Sequence, residues 1–138
     1  YAMGPAAAIE AMNRVHQYTM LSAPTTAQYA AIEALRSCQE SINEMATEFN
    51  RRRRFVISRF EEMGLDCFTA KGAFYAFPAC GGDDEAFAEN LLEEQGVAVV
   101  PGSVFGPGGA GHLRISYATG MRDLKEAMTR IESFVADR

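Results

Sequence analysis

The sequence predicts an α/β (α+β) fold, in which a small sheet and helices form a two-layer sandwich. Two observations predict it: long segments with helical periodicity fill the first half of the chain, and short apolar segments then alternate with helical ones. The chain has 138 residues, of which 48% are hydrophobic and 22% charged. These values are typical of a globular domain with a core of its own. We therefore expect residues 1–138 to form a single domain.

Three helices are predicted in the first half of the chain. Residues 6–18 are rich in small side chains and predict the first helix. Thr25 and Gln28 have the spacing of a capping box and predict a second helix over 27–36. Apolar residues three, four or seven positions apart predict a long third helix that ends at Gly64. Its expected inner face consists of Ile42, Met45, Phe49, Val56, Phe60 and Met63.

Strands and helices alternate in the second half of the chain. A helix is predicted over 85–95; the segment 81–84 forms a loop and cap before it, and the helix stops at Gly96. A glycine-rich loop, 101–111, precedes the last strand. The expected strands cover 65–70, 73–77, 97–100 and 113–117, and Lys71-Gly72 forms the turn between the first two. A terminal helix is predicted from an inner apolar stripe that consists of Leu124, Met128, Ile131 and Val135.

The charge balance and the cysteines exclude several classes of function. Lys and Arg total 13 against 18 Asp and Glu, a net charge of −5, whereas proteins that bind nucleic acids or anionic membranes are usually basic. No apolar run approaches the ~20 residues of a membrane-spanning helix. We therefore expect no nucleic-acid partner and no membrane partner. Cys38, Cys67 and Cys80 are odd in number and lack C-x-x-C spacing, so we expect reduced thiols, a cytoplasmic location and no metal site.

The strongest cluster of charge in the sequence consists of Arg51, Arg52, Arg53 and Arg54. Successive residues of a helix turn by about 100°, so these four side chains do not share one face. Glu48 lies four residues before Arg52, which is a favourable direction for an ion pair. We interpret the cluster as a solvated, ion-paired helix face. The alternative is a non-catalytic module that binds an anion or a protein partner.

Other candidate features carry little chemistry. The segment 106–111 matches G-x-G-x-x-G but leads into a predicted strand rather than a helix, so we expect a tightly bent loop there and no dinucleotide. His16 and His112 have no acidic or cysteine companions at ligand spacing. Lys71 lies in a turn and Lys125 on the terminal helix, and neither has the setting of a nucleophilic amine.

Arg114 stands in the middle of the predicted strand 113–117. Strand alternation places Leu113 and Ile115 on one face and Arg114 on the other. An arginine next to apolar neighbours is costly unless an anion meets it. Two interpretations stay open from the residues alone. One is a structural salt bridge, which is the more frequent situation, and the other is a bidentate grip on the carboxylate of a ligand.

Four segments of the chain, taken in their order along the sequence, form one recognisable set of motifs. They are Ser22-Ala23-Pro24-Thr25-Thr26-Ala27-Gln28, Lys71-Gly72-Ala73-Phe74-Tyr75-Ala76-Phe77-Pro78, Val99-Val100-Pro101-Gly102-Ser103-Val104-Phe105-Gly106 and His112-Leu113-Arg114-Ile115-Ser116-Tyr117-Ala118. In this order they resemble the C-terminal part of the class I/II aminotransferases, the fold-type I enzymes that use pyridoxal phosphate. The resemblance spans nearly the whole chain and is greatest to aspartate-aminotransferase-like enzymes.

The resemblance implies an activity and a site. It implies a homodimeric enzyme that transfers an amino group between an amino acid and a 2-oxo acid with pyridoxal 5'-phosphate as cofactor. It implies that Arg114 grips the α-carboxylate of the substrate and that Phe105 forms a wall beside it. Tyr18, Thr25 and Thr26 are implied at the border between the active site and the dimer partner.

The resemblance also implies that this chain lacks the chemical centre of the enzyme. The family's catalytic lysine corresponds to a position before Tyr1, and the chain begins without an initiator methionine. We therefore expect the C-terminal small domain of an aminotransferase, with the large cofactor-binding domain absent. We expect it to have no catalytic residue, no bound cofactor and no activity alone. A lyase or decarboxylase of the same fold is the alternative, because such enzymes share the carboxylate grip.

Overall fold

The computed structural model describes residues 1–137 and confirms the α/β fold. The helices are α1 (Ala6–Thr19), α2 (Thr25–Ser37), α3 (Gln39–Glu62), α4 (Asp84–Gln95) and α5 (Met121–Ala136). The strands are β1 (Tyr75–Ala76), β2 (Val100–Pro101) and β3 (Leu113–Ser116). Two 3₁₀ turns, Gly102–Phe105 and Pro107–Gly109, lie between β2 and β3. The chain divides into two compact units, Tyr1–Glu44 and a second unit that begins at Met45.

Helices α1 and α2 of the first unit confirm two predicted helices, but the predicted capping box is wrong. Neither helix has a buried residue. Pro24 is the N-cap of α2 and Thr25 is its first residue, with no hydrogen bond from a capping side chain. The Gln28 side-chain amide donates instead to the carbonyl oxygen of Ala23, at 2.8 Å. The helix therefore starts two residues earlier than predicted, because Pro24 already sets the direction of the chain.

Helix α3 confirms the long predicted helix, and Gly64 follows it in the left-handed region at φ +74°. Only part of the predicted inner face is buried. Val56 and Phe60 are fully buried, whereas Ile42 and Met45 are about half exposed, at 45% and 54%. The helical period was thus predicted correctly, but periodicity alone does not tell where along a helix the core begins.

The sheet of the second unit has the order β1-β3-β2, and both pairs are antiparallel. The predicted strand 65–70 is wrong, because only Cys67 forms an isolated bridge, to Pro78. Within that segment the Ala70 N–H turns back onto the Phe68 carbonyl and the Ala70 carbonyl accepts from Arg53. The predicted strands 73–77, 97–100 and 113–117 are shorter than expected in the structure.

The core of the second unit lies between the sheet and α3, α4 and α5. Leu113 and Ile115 of β3 are buried, as their alternation predicts. On α5, Leu124, Met128 and Ile131 are buried as predicted, but the fourth core residue is Phe134 rather than Val135. Its ring meets Phe87 of α4 edge-on, with centroids 5.1 Å apart. Spacings of three and four from Ile131 reach both Phe134 and Val135, and the larger side chain, Phe134, takes the inner position.

Within residues 1–137, no helix combines the length and the apolar composition needed to cross a bilayer.

Candidate functional site

The candidate site is built around Arg114 on β3, the central strand of the sheet. Its neighbours in the strand, Leu113 and Ile115, are buried at 1% and 8% exposure, whereas Arg114 is half-buried on the opposite face. Val100 of β2 stands directly across from Arg114 in the antiparallel register. The backbone of this site is therefore held by hydrogen bonds to a strand on each side.

Two aromatic rings position the Arg114 guanidinium. Its central carbon lies 4.7 Å from the centroid of the Tyr75 ring and 4.8 Å from that of the Phe105 ring. Tyr75 comes from β1, and Phe105 ends the first 3₁₀ turn after β2. Cation–π contacts of this kind favour the charged side chain without consuming its N–H donors. The structure thus brings together the two predicted substrate residues, Arg114 and Phe105, and adds Tyr75.

Arg114 has no acidic partner among residues 1–137. The ion pairs of the described residues involve Arg51, Arg52, Arg59, Arg122 and Arg130. The structural salt bridge that the sequence left open for Arg114 is therefore not formed there. A half-buried guanidinium with its N–H groups available can donate two parallel hydrogen bonds to the carboxylate of a ligand.

The glycine-rich loop beside Arg114 bends as tightly as predicted. Gly102 and Gly109 approach so closely that a Cβ atom on Gly102 would lie 2.1 Å from the Gly109 carbonyl oxygen. Gly106 has a φ of +111° and Gly111 of +76°, a region that favours glycine. These glycines serve a backbone-to-backbone contact, and this contact fixes the segment that presents Phe105.

Asp84, in the first turn of α4, holds this loop from the other side. Its side chain is 5% exposed. One carboxylate oxygen accepts from the Ser103 N–H at 2.7 Å and the other from the Gly111 N–H at 3.2 Å. The hydrogen bond from the Ser103 N–H is the main reason that the pKa of Asp84 is lowered to about 2. Asp84 is therefore an ionised clip that joins the two ends of the loop.

The sequence predicts Asp84 in a loop and cap and does not indicate its part in the site. The cap is confirmed, since the Asp83 carboxylate accepts from the N–H groups of Glu85 and Ala86 at 3.1 Å. An aspartate in the first turn of a helix is common, so no separate signal in the sequence marks Asp84. Tyr75 was missed for a similar reason, because an aromatic residue in a strand reads as part of the sheet.

The remaining candidate residues belong to the first unit or make ordinary contacts. Tyr18, Thr25 and Thr26 belong to the first unit, where all three are exposed. His112 stacks on Phe77 with ring centroids 5.2 Å apart. The Ser103 hydroxyl donates to Glu85 at 3.3 Å.

The arginine cluster of α3 agrees only in part with the interpretation as an ion-paired helix face. Glu48 accepts from Arg51 and from Arg52, each at 2.8 Å. The hydrogen bond from Arg51, followed by that from Arg52, lowers the pKa of Glu48 to about 2. Arg53 turns the other way and donates to Asn50 and to the carbonyl oxygen of Ala70.

Known proteins are similar to this chain over nearly its whole length. Residues 1–131 match the family model described as aminotransferase class I and II. The chain is 42% identical to the aspartate aminotransferase of Pyrococcus abyssi, over 100% of this chain and 37% of that protein. It is 41% identical to the (5-formylfuran-3-yl)methyl phosphate transaminase of Methanocaldococcus jannaschii, over 92% of this chain and 35% of that protein.

Solved structures agree with the sequence relatives. The aromatic aminotransferase from Pyrococcus horikoshii OT3 superposes with a TM-score of 0.89 at 43% identity, over 98% of this chain and 38% of that structure. The chain thus spans a little over a third of the length of the curated relatives it matches.

Proposed function

Because the chain belongs to the class I and II aminotransferase family, we propose that the full-length protein is a pyridoxal-phosphate-dependent aminotransferase. In this proposal, residues 1–138 are its C-terminal small-domain part and carry the grip on the substrate carboxylate. The observation that carries the proposal is Arg114, a half-buried cation positioned by two rings and without an acidic partner in residues 1–137.

Arg114 binds and orients the amino acid or 2-oxo acid through the carboxylate that both kinds of substrate contain. Two parallel N–H···O bonds fix the plane of that carboxylate as well as its position. Holding a reactant in one orientation is itself a large contribution to rate. Aspartate and aromatic amino acids, which name two of the similar proteins, share the α-carboxylate. A grip on this group therefore suits a family whose members differ in the rest of the substrate.

Phe105 and the loop that carries it make the second contribution. The ring lies against the guanidinium and is 54% exposed, so one side of it is available to a substrate. An aromatic wall beside a charged pair excludes water and strengthens the electrostatic attraction. Asp84 acts through the loop as a positioning residue, since it touches Ser103 and Gly111 rather than Arg114.

The residues of this chain do not fit the role of holding pyridoxal phosphate. The cofactor carries out its chemistry through a lysine in a desolvated or cation-flanked setting. The two lysines of the chain, Lys71 and Lys125, are both exposed. We therefore assign the cofactor and the proton transfers to parts of the full-length protein outside residues 1–138, and expect this chain to be inactive alone.

The remaining parts of the proposal concern assembly and location. A homodimer with Tyr18, Thr25 and Thr26 near the border of the active site is supported by their exposure on the first unit. Three unpaired thiols, Cys38, Cys67 and Cys80, support a reducing compartment such as the cytoplasm. The transaminase names of the similar proteins favour amino-group transfer over a lyase or decarboxylase reaction.

The test is Arg114→Lys in the full-length protein, measured with an amino acid and with the amine that lacks only its carboxylate. Lysine keeps the charge but not the fork. A hydrogen bond to a charged group is worth roughly 1.5–3 kcal/mol, so we expect kcat/KM for the amino acid to fall by about 10- to 100-fold. Reaction with the amine is expected to change little.

Arg51→Lys is the matched control, because Arg51 is exposed and paired with Glu48 on the helix surface. It is expected to leave both reactions unchanged. A thermal melt of each variant separates binding from stability. Equal losses for the amino acid and the amine, together with a lower Tm, would show that Arg114 is structural and would refute the grip.

A further inference from the structure

A cation-lined cavity lies in the second unit, and Arg114 is not among its lining residues. It has a volume of about 610 Å³, within the range of small-molecule sites. It is lined by the middle of α3, by the turn before β1 and by Tyr117. None of the lining residues is acidic, and two of them, Arg53 and Lys71, are cationic.

Arg53 differs in its partners from three other arginines of α3. Arg51, Arg52 and Arg59 each pair with a glutamate. Arg53 is half-buried and donates to two neutral oxygens instead, the Ala70 carbonyl at 3.1 Å and the Asn50 side chain at 2.7 Å. These bonds use two of the five N–H donors of a guanidinium. In a chain with a net charge of −5, Arg53 is thus, like Arg114, a half-buried cation without a carboxylate partner among residues 1–137.

The turn that carries Lys71 is fixed against the same cavity. Arg53 binds the carbonyl oxygen of Ala70, the residue before Lys71. The Tyr117 hydroxyl donates to the carbonyl oxygen of Ala73 at 2.8 Å. Burial raises the pKa of Tyr117 and the charge of Arg53 opposes that rise, which places Tyr117 within the field of Arg53. Arg53 and Tyr117 thus both bind backbone carbonyls of the short turn that carries Lys71.

An apolar wall completes the cavity. The Phe49 ring lines it and is stacked on Phe74, with centroids 5.8 Å apart. Because two cations face a cavity that also offers a fixed ring, we propose that the cavity binds a small organic carboxylate. Arg53 and Lys71 hold the carboxylate group and Phe49 contacts the apolar body. This site is separate from the grip at Arg114 and does not depend on it.

The experiment follows glycine amides of the ¹⁵N-glycine-labelled full-length protein during titration with benzoate, and with benzamide as the uncharged analogue. Gly72 lines the cavity and Gly108 lies in the loop near Phe105. The two signals are assigned by Gly72→Ala and Gly108→Ala, since a Cβ atom at either position meets nothing within 4 Å. One titration therefore reports on the cavity and on the Arg114 side independently.

We expect the Gly72 signal to shift with benzoate in a saturable way and to stay in place with benzamide. Lys71→Ala is expected to weaken the benzoate affinity read at Gly72 by about two- to fivefold, the range for an exposed charge pair. Lys125→Ala removes the other exposed lysine of the chain and is expected to change nothing.

Three results would overturn the site: a Gly72 signal that does not move, one that moves equally with benzamide, or one whose titration is the same in Lys71→Ala. A shift at Gly108 alone would refute the cavity as a carboxylate site while leaving the proposal for Arg114 intact.

Discussion

Helix α3 and strand β3 both carry arginines in the second unit, and they hold them in different ways. Arg51 and Arg52 of α3 share the carboxylate of Glu48 at 2.8 Å. Arg114 of β3 has two aromatic rings near its guanidinium and no acidic partner in residues 1–137. The four consecutive arginines of α3, at 51–54, dominate the charge pattern of the sequence, yet the first two are already paired with Glu48 on the same helix.

The supports of the two regions differ as well. The α3 pairs are made by long side chains at the surface, where solvent and salt weaken them. Around Arg114, the Tyr75 ring comes from β1, which is hydrogen-bonded to β3. The Phe105 ring comes from a loop that backbone contacts and Asp84 fix in place. A cation that is held rigidly but left without a counter-ion is prepared for a ligand, whereas an exposed ion pair is a feature of surface solvation.

The largest expected effect comes from breaking the loop beside Arg114. Gly102→Ala places a Cβ atom 2.1 Å from the Gly109 carbonyl oxygen and 2.8 Å from that of His112, so the backbone must move. We expect a loss of at least about 2 kcal/mol in the free energy of unfolding of the full-length protein, together with a raised KM. Urea unfolding and steady-state kinetics measure the two effects.

Gly108→Ala is the matched control in the same loop, since its Cβ atom meets nothing within 4 Å. It is expected to change the free energy of unfolding by less than about 0.5 kcal/mol. If both alanine variants behaved alike, the close approach of Gly102 and Gly109 would not be what fixes this loop.

A smaller effect is expected from Asp84→Asn. The two carboxylate oxygens each accept one backbone N–H, and an amide offers only one oxygen, so one N–H loses its acceptor. The pKa of Asp84 is about 2 in the folded protein against an ordinary value of 3.8. Because the pKa of Asp84 is lower in the folded than in the unfolded protein, its ionised carboxylate stabilises the folded state above about pH 4. This stabilisation is lost as the pH falls towards about 2.

We therefore expect Asp84→Asn to have a lower Tm than the wild-type protein at pH 7. We expect this difference in Tm to shrink steadily as the pH falls from about 4 to about 2. Thermal melts of the variant and of the wild-type protein over this range provide the measurement. A deficit that stayed constant down to about pH 2 would mean that the charge of Asp84 does not contribute.

The smallest effect is expected at α3, from Glu48→Gln. Glu48 is partly exposed, and its hydrogen bonds go to the exposed Arg51 and to the half-buried Arg52. We expect a small drop in Tm at low ionic strength that disappears in 1 M salt, because the Debye length there is only ~3 Å. The deficit of Asp84→Asn is expected to persist in the same salt, since its partners are buried backbone groups. A Glu48 effect that resisted salt would make the two regions alike.

The parts of the fold that follow from local chemistry were predictable from the sequence. The caps at Asp83 and Gly96 bound α4, and strand alternation puts Leu113 and Ile115 inside and Arg114 outside. The actual start of α2 was not predictable, because the capping-box spacing of Thr25 and Gln28 competes with the start that Pro24 supplies to the same helix. Nor was the loss of the strand 65–70, where Arg53, 17 residues away from Ala70, takes the carbonyl that a neighbouring strand would need.

In the candidate site too, one residue follows from a local pattern and the others depend on contacts between distant parts of the chain. Arg114 could be found from a single strand, because a charged residue in an apolar alternation is a local signal. Tyr75, Phe105 and Asp84 reach the site from three other elements. Their meeting depends on strand register and on the Gly102–Gly109 contact, which no local pattern encodes. Of these three residues, only Phe105 was placed near the site, and that came from the family resemblance rather than from the residue pattern.

The most direct measurement is a crystal structure of the full-length protein with a non-reactive carboxylate analogue of an amino-acid substrate. We predict both carboxylate oxygens within about 2.7–2.9 Å of two Arg114 nitrogens, in the parallel bidentate geometry, with Tyr75 and Phe105 still against the guanidinium. A carboxylate bound by other residues, with Arg114 beside the two rings and no anion in contact with it, would refute the role of Arg114 in binding the substrate carboxylate.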